Sequence, residues 1–387
     1  MTSVVDTSVK WFTSKMLGAP VLRGQVGSLI ALLDACLVNG WGIQTATSCV
    51  VASGVCTMTF PLDHAAPVDA VVLVAGSSIA DLNGEQKVTA VAPNVVKFAT
   101  AASNGTSTGT ITAKMAPAGF NKPFSGTNLA VYKSADVAAN GHFCRVNDTN
   151  ALYARVNGYE NMTAISTGTG LFPTAIQLSG GMYWHKSAAA STTPVDWTIV
   201  GDGRFFAIFT STYMGADPSY TDYVAPNLSG FGDPLKRSRA ADPFNTLIIG
   251  NWDTNAYNYA AGVGLSAGNN VSRYMARAIS GTGTAVPANI HAMGSIVAQD
   301  PLFDRITGQI MFSPCVVKTD SDASWRAELP GICLGESTYM EQVFASKTVF
   351  KAGSPERSYL VEYAADVTAS LVNHRLIALD VTGPWPR

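Results

Sequence analysis

The chain has 387 residues, of which 47% are hydrophobic and only 13% are charged, and its formal net charge is −2 at pH 7. The densest basic stretch, at 236–239, is short, so the sequence lacks the basic face that nucleic-acid binding requires, and it has no apolar run long enough for a transmembrane helix. A surface so poor in charge is typical of a subunit that contacts neighbours in an assembly.

Residues 1–16 mix small polar side chains with valines and aromatic residues, which predicts an N-terminal arm. Within it, Trp11 and Phe12 have two possible partners, the protein's own helix or a neighbouring subunit, and the first is the simpler expectation. The start of the chain lacks the basic and apolar regions of a signal peptide, so we expect the protein to act without secretion by that route.

The stretch 17–42 contains the one convincing helix of the sequence. Its apolar stripe has helical spacing and consists of Val26, Ile30, Leu33 and Leu37. Ser28 is the predicted N-cap, because its hydroxyl can accept a backbone N–H of the first turn, and this places Val26 just outside the helix. Gly40 is the predicted stop, because glycine adopts a left-handed conformation without steric cost.

Residues 45–115 predict a small β barrel or sandwich, because turn signals recur about every ten residues. The predicted strands are Val50–Phe60, Ala70–Ala75, Glu85–Val91, Val95–Ala99 and Thr108–Lys114. The pairs Asn83-Gly84 and Asn104-Gly105 accept the positive φ angles that tight hairpins need. We interpret this module as an insertion into a larger β body.

Residues 116–240 predict a β body that ends in a long loop. The predicted strands are Ala130–Lys133, His142–Asn147, Tyr153–Tyr159, Met182–His185, Trp197–Val200 and Arg204–Thr210. The last two form the clearest hairpin of the chain, because Gly201-Asp202-Gly203 joins two β-rich runs whose alternating side chains share a face.

The segment 211–240 has no periodicity and is predicted as a loop. Tyr213, Tyr220 and Tyr223 in this segment form a candidate interaction surface, since tyrosine is enriched at interfaces and long loops are often functional. The alternative is an ordered loop that packs on its own body.

Residues 241–387 predict a C-terminal β body. Its predicted strands are Thr246–Gly250, Arg273–Ile279, Gln309–Phe312, Cys315–Thr319, Val349–Ala352, Ser358–Tyr363 and Arg375–Val381. We expect loops at 254–270 and 279–289, a turn at Pro330-Gly331, and a proline-containing tail that ends on the surface.

Together these elements predict a mainly β, multi-domain chain. Its four segments are the arm and short helix (1–44), the small β module (45–115), a β-sandwich-like body with a long loop (116–240) and a C-terminal β body (241–387).

Signatures of catalysis are missing from the sequence. Neither G-x-S-x-G nor H-E-x-x-H occurs, and Gly201-Asp202-Gly203 is typical of a hairpin turn rather than a dinucleotide loop. The aspartates that an enzyme could use for glycan hydrolysis are Asp148, Asp196, Asp202 and Asp217. Aspartates are ordinary in turns, however, because they bond their own backbone there. We therefore predict no enzymatic activity, no catalytic residue and no cofactor.

The cysteines and histidines predict no metal site. The six cysteines, which lack the spacing of zinc ligands, are Cys36, Cys49, Cys56, Cys144, Cys315 and Cys333. Buried thiols made in a reducing cytoplasm are the expected state, and a disulfide formed after release is the alternative. The histidines are scattered, and we expect His142 and His185 to lie on strands and to form local hydrogen bonds.

Several stretches resemble, in the same order, segments of a group of tailed-bacteriophage virion structural proteins. They are GAPVLRGQVGSLIALLDACLVNGWG (18–42), GFNKPFSGTNLAVYKS (119–134), ARVNGYENMTAISTGTGLFPT (154–174), GGMYWHKS (180–187), WTIVGDGRFFAIFT (197–210), LPGICLG (329–335) and LDVTGPWPR (379–387). In that group a similar start leads into a small β module, which in tail and neck proteins serves as a docking or spacer domain.

The resemblance implies a structural role in the virion, at the tail tip, at the baseplate or on an attached tail protein. The implied partners are copies of the chain itself, as a homo-oligomer, and other virion proteins, with assembly in the host bacterial cytoplasm. The alternatives are a receptor-binding module for a host-surface glycan and a head decoration or neck protein. No nucleic acid or membrane span is expected.

Overall fold

The computed structural model describes residues 3–219, 226–236, 244–256, 271–277, 285–292, 312–319, 325–335, 344–364 and 375–387. These residues form a mainly β protein with one short N-terminal helical segment, as the sequence predicts. Of the helices within these ranges, none has the length and apolar character to cross a membrane.

The first part of the chain contains ten strands and the helix. The strands are β1 (Lys10–Thr13), β2 (Leu22–Arg23), β3 (Trp41–Thr45), β4 (Ser48–Ala52), β5 (Val55–Thr59), β6 (Val71–Ala75), β7 (Gly84–Ala92), β8 (Val95–Ala99), β9 (Gly105–Thr106) and β10 (Thr112–Met115). An α-helix, α1 (Ser28–Leu33), continues directly into a π-helical turn, Asp34–Asn39.

The middle of the chain adds eleven strands. They are β11 (Phe120–Gly126), β12 (Leu129–Ser134), β13 (Phe143–Asn147), β14 (Tyr153–Ala164), β15 (Thr167–Phe172), β16 (Met182–His185), β17 (Pro194–Val195), β18 (Trp197–Gly201), β19 (Phe205–Ser211), β20 (Pro226–Gly232) and β21 (Leu235–Lys236).

The described C-terminal strands complete the fold. They are β22 (Phe244–Asn251), β23 (Val271–Arg277), β24 (Ala285–Ala292), β25 (Ser313–Thr319), β26 (Trp325–Gly335), β27 (Val349–Ala352), β28 (Arg357–Ala364) and β29 (Arg375–Asp380).

These strands form two main antiparallel sheets. The small sheet has eight strands in the order β3-β10-β6-β7-β8-β5-β4-β9, and the large sheet has nineteen, with β1 and β11–β29 as its members apart from β17. One continuous cluster of buried apolar side chains extends from Val9 to Trp385 and includes Met58 of the small sheet and Phe206 of the large sheet. The predicted division into four segments stays a prediction.

The predicted hairpin is confirmed and lies at the centre of the large sheet. Ile199 of β18 lies opposite Ile208 of β19, so their side chains share a face. Every residue of both strands is buried, on both faces of the sheet. These two strands are therefore covered on both sides of the sheet.

The predicted arm is instead partly a strand of the body. Residues 10–13 form β1, which pairs with β18, and the Trp11 indole N–H donates to the carbonyl of Asp69 at 3.1 Å. The Phe12 ring lies 6.5 Å from that of Trp41, between ring centroids. Both aromatic residues therefore pack on the protein's own body.

The helix is where predicted, but its cap is not. Gly27 (φ 78°) occupies the N-cap position, and the Ser28 hydroxyl donates to the carbonyl of Arg23. The Asp148 carboxylate, from a distant part of the chain, accepts the free N–H groups of Leu29 and Ile30 instead. The buried stripe consists of Leu29, Leu32, Leu33, Cys36 and Leu37, whereas Val26 lies outside the helix as expected.

Gly40 ends the helical segment with φ 69°, as predicted, and it also touches a strand. A Cβ at this position would lie 2.3 Å from the carbonyl oxygen of Met115, whereas a Cβ on Gly18, which has a similar φ of 72°, would meet open space. We therefore expect Gly40→Ala to lower the free energy of unfolding by about 1–3 kcal/mol more than Gly18→Ala, measured by urea denaturation. Equal losses would show that the contact with Met115 does not matter.

Several predicted loops and turns are wrong in detail. The segment 211–240 contains β20 and β21, and 279–289 contains the start of β24. Val50–Phe60 is two strands joined at Ser53-Gly54, both with positive φ. The predicted strand Gln309–Phe312 and the predicted loop 254–270 lie almost wholly outside the described residues.

The C-terminal tail is only partly on the surface. Pro330-Gly331 lies within β26 rather than in a turn, and a Cβ on Gly331 (φ 66°) would lie 2.3 Å from the indole of Trp385. That indole is buried, and its N–H donates to the carbonyl of Asp380 at 3.1 Å. Pro384 and the last two residues are exposed, as expected.

Candidate assembly surface

The outward side of β4, β5, β8 and the end of β7 is open and almost without charge. The inward side chains of β4, β5 and β8 are buried and comprise Cys49, Val51, Cys56, Met58, Val96 and Phe98. The outward side chains, which we call the outer face, are Ser48, Val50, Ala52, Val55, Thr57, Thr59, Ala90, Ala92, Val95, Lys97 and Ala99. Lys97 is the one charged residue among these eleven.

The strand register aligns the outer face into rows. Val50 lies opposite Thr57, which lies opposite Lys97, and Val55 lies opposite Ala99. Val50 and Val55 are 39% and 37% exposed. Because these side chains are short and mostly uncharged, a partner that covers them removes few charges from water.

The small sheet is anchored to the rest of the protein through β7 and through Asp69, which precedes β6. The Lys87 ammonium, which is buried, donates to the carbonyl of Val381 at 2.6 Å, and burial lowers the pKa of this lysine despite the nearby carboxylates. The Ser358 hydroxyl donates to the Asp69 carboxylate at 2.9 Å. β7 thus carries both the anchor and part of the outer face, so the face is presented on a fixed support.

An ion pair also joins the small sheet to the rest of the protein. Lys10 of β1 and Glu85 of β7 lie 2.8 Å apart, between Nζ and Oε2, and the lysine side chain is only 8% exposed. Since β1 belongs to the large sheet, this pair also ties the small sheet to the body.

The predicted tyrosine surface is described only at Tyr213. This residue lies in a 3₁₀ turn, Thr212–Gly215, where it is half-buried and its carbonyl accepts the N–H groups of Ala216 and Asp217. Tyr220 and Tyr223 lie outside the described residues. The tyrosine interaction surface therefore stays a prediction.

Two of the four aspartates considered for glycan hydrolysis stabilise local structure. Asp202 accepts the N–H groups of Arg204 and Phe205 in its hairpin turn and binds the Arg387 guanidinium. Asp217 is exposed and accepts the N–H and hydroxyl of Ser219.

The other two aspartates are paired with lysines. Asp196 accepts the Ser14 hydroxyl, and although burial acts against it, Lys347 and Lys15 hold its pKa below the usual value. Asp148 caps the helix and contacts the buried Lys186. All four carboxylates are thus engaged with separate partners.

His142 and His185 form hydrogen bonds, but with residues distant in sequence rather than local ones. His185 lies on β16 as expected, whereas His142 lies just before β13. His142 Nδ1 lies 2.6 Å from the Thr246 hydroxyl, and His185 Nε2 lies 3.1 Å from the carbonyl oxygen of Asp253. His64 Nε2 lies about 3 Å from the carbonyl oxygens of Ala92 and Val95. Within the described ranges, no group of three His, Cys, Asp or Glu side chains is placed to hold a metal ion.

All six cysteines are free thiols, and five of them are buried, with Cys333 half-buried. Burial raises the pKa of Cys36, Cys144 and Cys315, which keeps these thiols protonated and unreactive. Cys49 and Cys56 face each other in the core of the small sheet with their sulfurs 3.4 Å apart. The buried thiols agree with the expected state.

Sequence reasoning missed two features of the structure. The outer face is visible in the alternation of residues 48–59, but alternation does not tell which face stays uncovered. The pairing of Asp148 with Lys186 left no local signal.

Comparison of the chain with protein-family models and with curated proteins found no match.

Proposed function

We propose that the protein is a structural component of a tailed-phage virion, at the tail tip or baseplate or attached to the tail. It acts by assembly with copies of itself and with other virion proteins, after synthesis in the bacterial cytoplasm. The structural observation that supports this proposal is the outer face of the small sheet. The ordered resemblance of sequence segments to virion proteins supplies the class of assembly.

The physical argument rests on the cost of desolvation. An interface gains free energy from apolar area removed from water and loses it wherever a charge is buried without a partner. The outer face has eleven neighbouring side chains and one charge, and Val50 and Val55 supply exposed apolar area. The anchored support means that docking need not order a loose segment, which would oppose binding.

A substitution that introduces one carboxylate on the outer face tests the proposal. We expect Val50→Glu to abolish incorporation of the protein into particles, because the glutamate would lose its hydration when a partner covers it. The measurement is quantitative mass spectrometry of purified particles from cells that supply the variant in place of the natural chain.

The matched control is Val137→Glu, which adds the same charge at a fully exposed valine away from the outer face. Thermal unfolding of both soluble variants verifies that each is folded. Normal incorporation of the folded Val50→Glu variant would reject the outer face as the assembly surface. Absence of the natural chain from purified particles would reject the virion role itself.

Immunogold labelling of intact particles locates the protein. Gold at the distal tail is the expected result and would place the chain at the tip or baseplate. Gold distributed over the head would replace this with a decoration role.

A further inference from the structure

A lysine and an aspartate meet in the interior beside the helix start. Asp148 directly follows β13 and Lys186 directly follows β16. These two strands pair with the N-terminal part of β14, one on each side. Both side chains are 0% exposed, and Nζ lies 2.5 Å from Oδ1. The two groups are therefore held together out of reach of bulk solvent.

The two oxygens of Asp148 have different partners. Oδ1 contacts the Lys186 ammonium, whereas Oδ2 accepts the N–H groups of Leu29 at 2.8 Å and Ile30 at 3.1 Å. The remaining protons of the lysine point to the carbonyl oxygens of Gln25 and Asn150, at 2.6 and 2.8 Å. One oxygen is thus next to a nucleophile, and the other is held by two fixed donors.

Burial favours the uncharged forms of both groups. It raises the pKa of Asp148 against the influence of Lys186, and it lowers the pKa of Lys186 against the influence of Asp148. The uncharged pair is an amine and a carboxylic acid, which are the reactants of amide formation.

We propose that Lys186 and Asp148 condense to an intramolecular amide that covalently links the ends of β13 and β16. A proton first passes from Nζ to Oδ1, which leaves a neutral amine beside a protonated carboxyl group. Nζ then attacks Cγ, the bond from Cγ to Oδ1 breaks, and Oδ1 departs as water with a second proton from Nζ. Oδ2 becomes the amide oxygen, and no oxidant, reductant or further reactant is consumed.

The position of the helix start suits this reaction. The N–H groups of Leu29 and Ile30 hold the oxygen on which negative charge develops as Nζ attacks, which is the role of an oxyanion hole. Fixed contact between the reacting atoms replaces a bimolecular encounter. Since the site is closed to solvent, water that has left does not return easily to hydrolyse the bond.

The intact mass of the folded, purified full chain, measured after denaturation, tests the proposal. We expect a mass lower than that of the sequence by one water molecule. Trypsin cleaves after arginine and lysine, so the linked protein yields residues 146–155 attached to residues 156–204, with no cleavage after Lys186. The sequence mass, together with a free 146–155 peptide and cleavage after Lys186, would overturn the proposal.

Two variants separate this bond from other losses of water. Lys186→Arg keeps the positive charge but removes the amine nucleophile, so its mass should equal that of its sequence. Asp148→Asn should lose ammonia instead of water, because the leaving group changes. A loss of water that persists in Lys186→Arg, or that maps to another peptide, would overturn the assignment even if both variants fold poorly. The mass measurement does not depend on the proposed virion role.

Discussion

Replacement of Trp184 by alanine is expected to lower the free energy of unfolding by about 3–5 kcal/mol, the range for deletion of a large buried aromatic side chain. The indole is 1% exposed, lies edge-on to Phe206 with ring centroids 5.9 Å apart, and donates to the carbonyl of Ile249 at 2.7 Å. A Cβ on Gly250 would lie 2.8 Å from this ring, which shows how closely β22 approaches it. Truncation leaves a cavity and removes the hydrogen bond from the indole to Ile249.

The measurement is urea denaturation followed by circular dichroism, with Trp252→Ala as the matched control. Trp252 is 48% exposed, so its removal should change stability by no more than about 0.5 kcal/mol, as is usual at the surface. Similar losses in the two variants would mean that the core between β16 and β22 is not packed as described.

Acid is expected to destabilise the protein through His185. This side chain is 2% exposed, and burial lowers its pKa from the ordinary 6.5 to about 4. The unfolded chain binds a proton near pH 6.5 while the folded protein resists it until about pH 4. Stability is therefore lost as the pH falls through this window. The shift corresponds to a loss of about 3 kcal/mol once the pH is below the folded pKa.

Urea midpoints at pH 7.5 and pH 4.5 measure this effect, and the His185→Gln variant tests its origin. Glutamine does not titrate, so the difference between the two midpoints should shrink in the variant. Burial also lowers the pKa of His142, so part of the pH dependence should remain. An unchanged difference in His185→Gln would assign the acid sensitivity to other groups.

Local patterns predicted the elements whose determinants are close in sequence. The hairpin of β18 and β19 depends on a glycine-containing turn and two β-rich runs that adjoin it, and the helix stop depends on Gly40 itself. The alternation of residues in β4 and β5 indicates which side chains share the outer face. It does not indicate that this face is exposed, because exposure depends on what the rest of the chain leaves uncovered.

Contacts between distant residues could not be predicted in this way. Ser28 has every local property of a helix cap, but Asp148, 119 residues from Leu29, occupies that role. β20 has the composition of a loop, PNLSGFG, and it is a strand because β19 and β22 pair with it on both sides. Gly331 lacks the Cβ that would collide with the indole of Trp385, and no local signal near Pro330 reveals this contact.

The anchor of the small sheet has a consequence for the order of folding. The hydrogen bond from Lys87 to the carbonyl of Val381 spans 294 residues, and contacts of such separation close slowly because of their loop entropy. On the ribosome, the small sheet therefore emerges long before the residues that hold it in place. The outer face is therefore held in its final orientation by this contact only after the residues around Val381 have been synthesised.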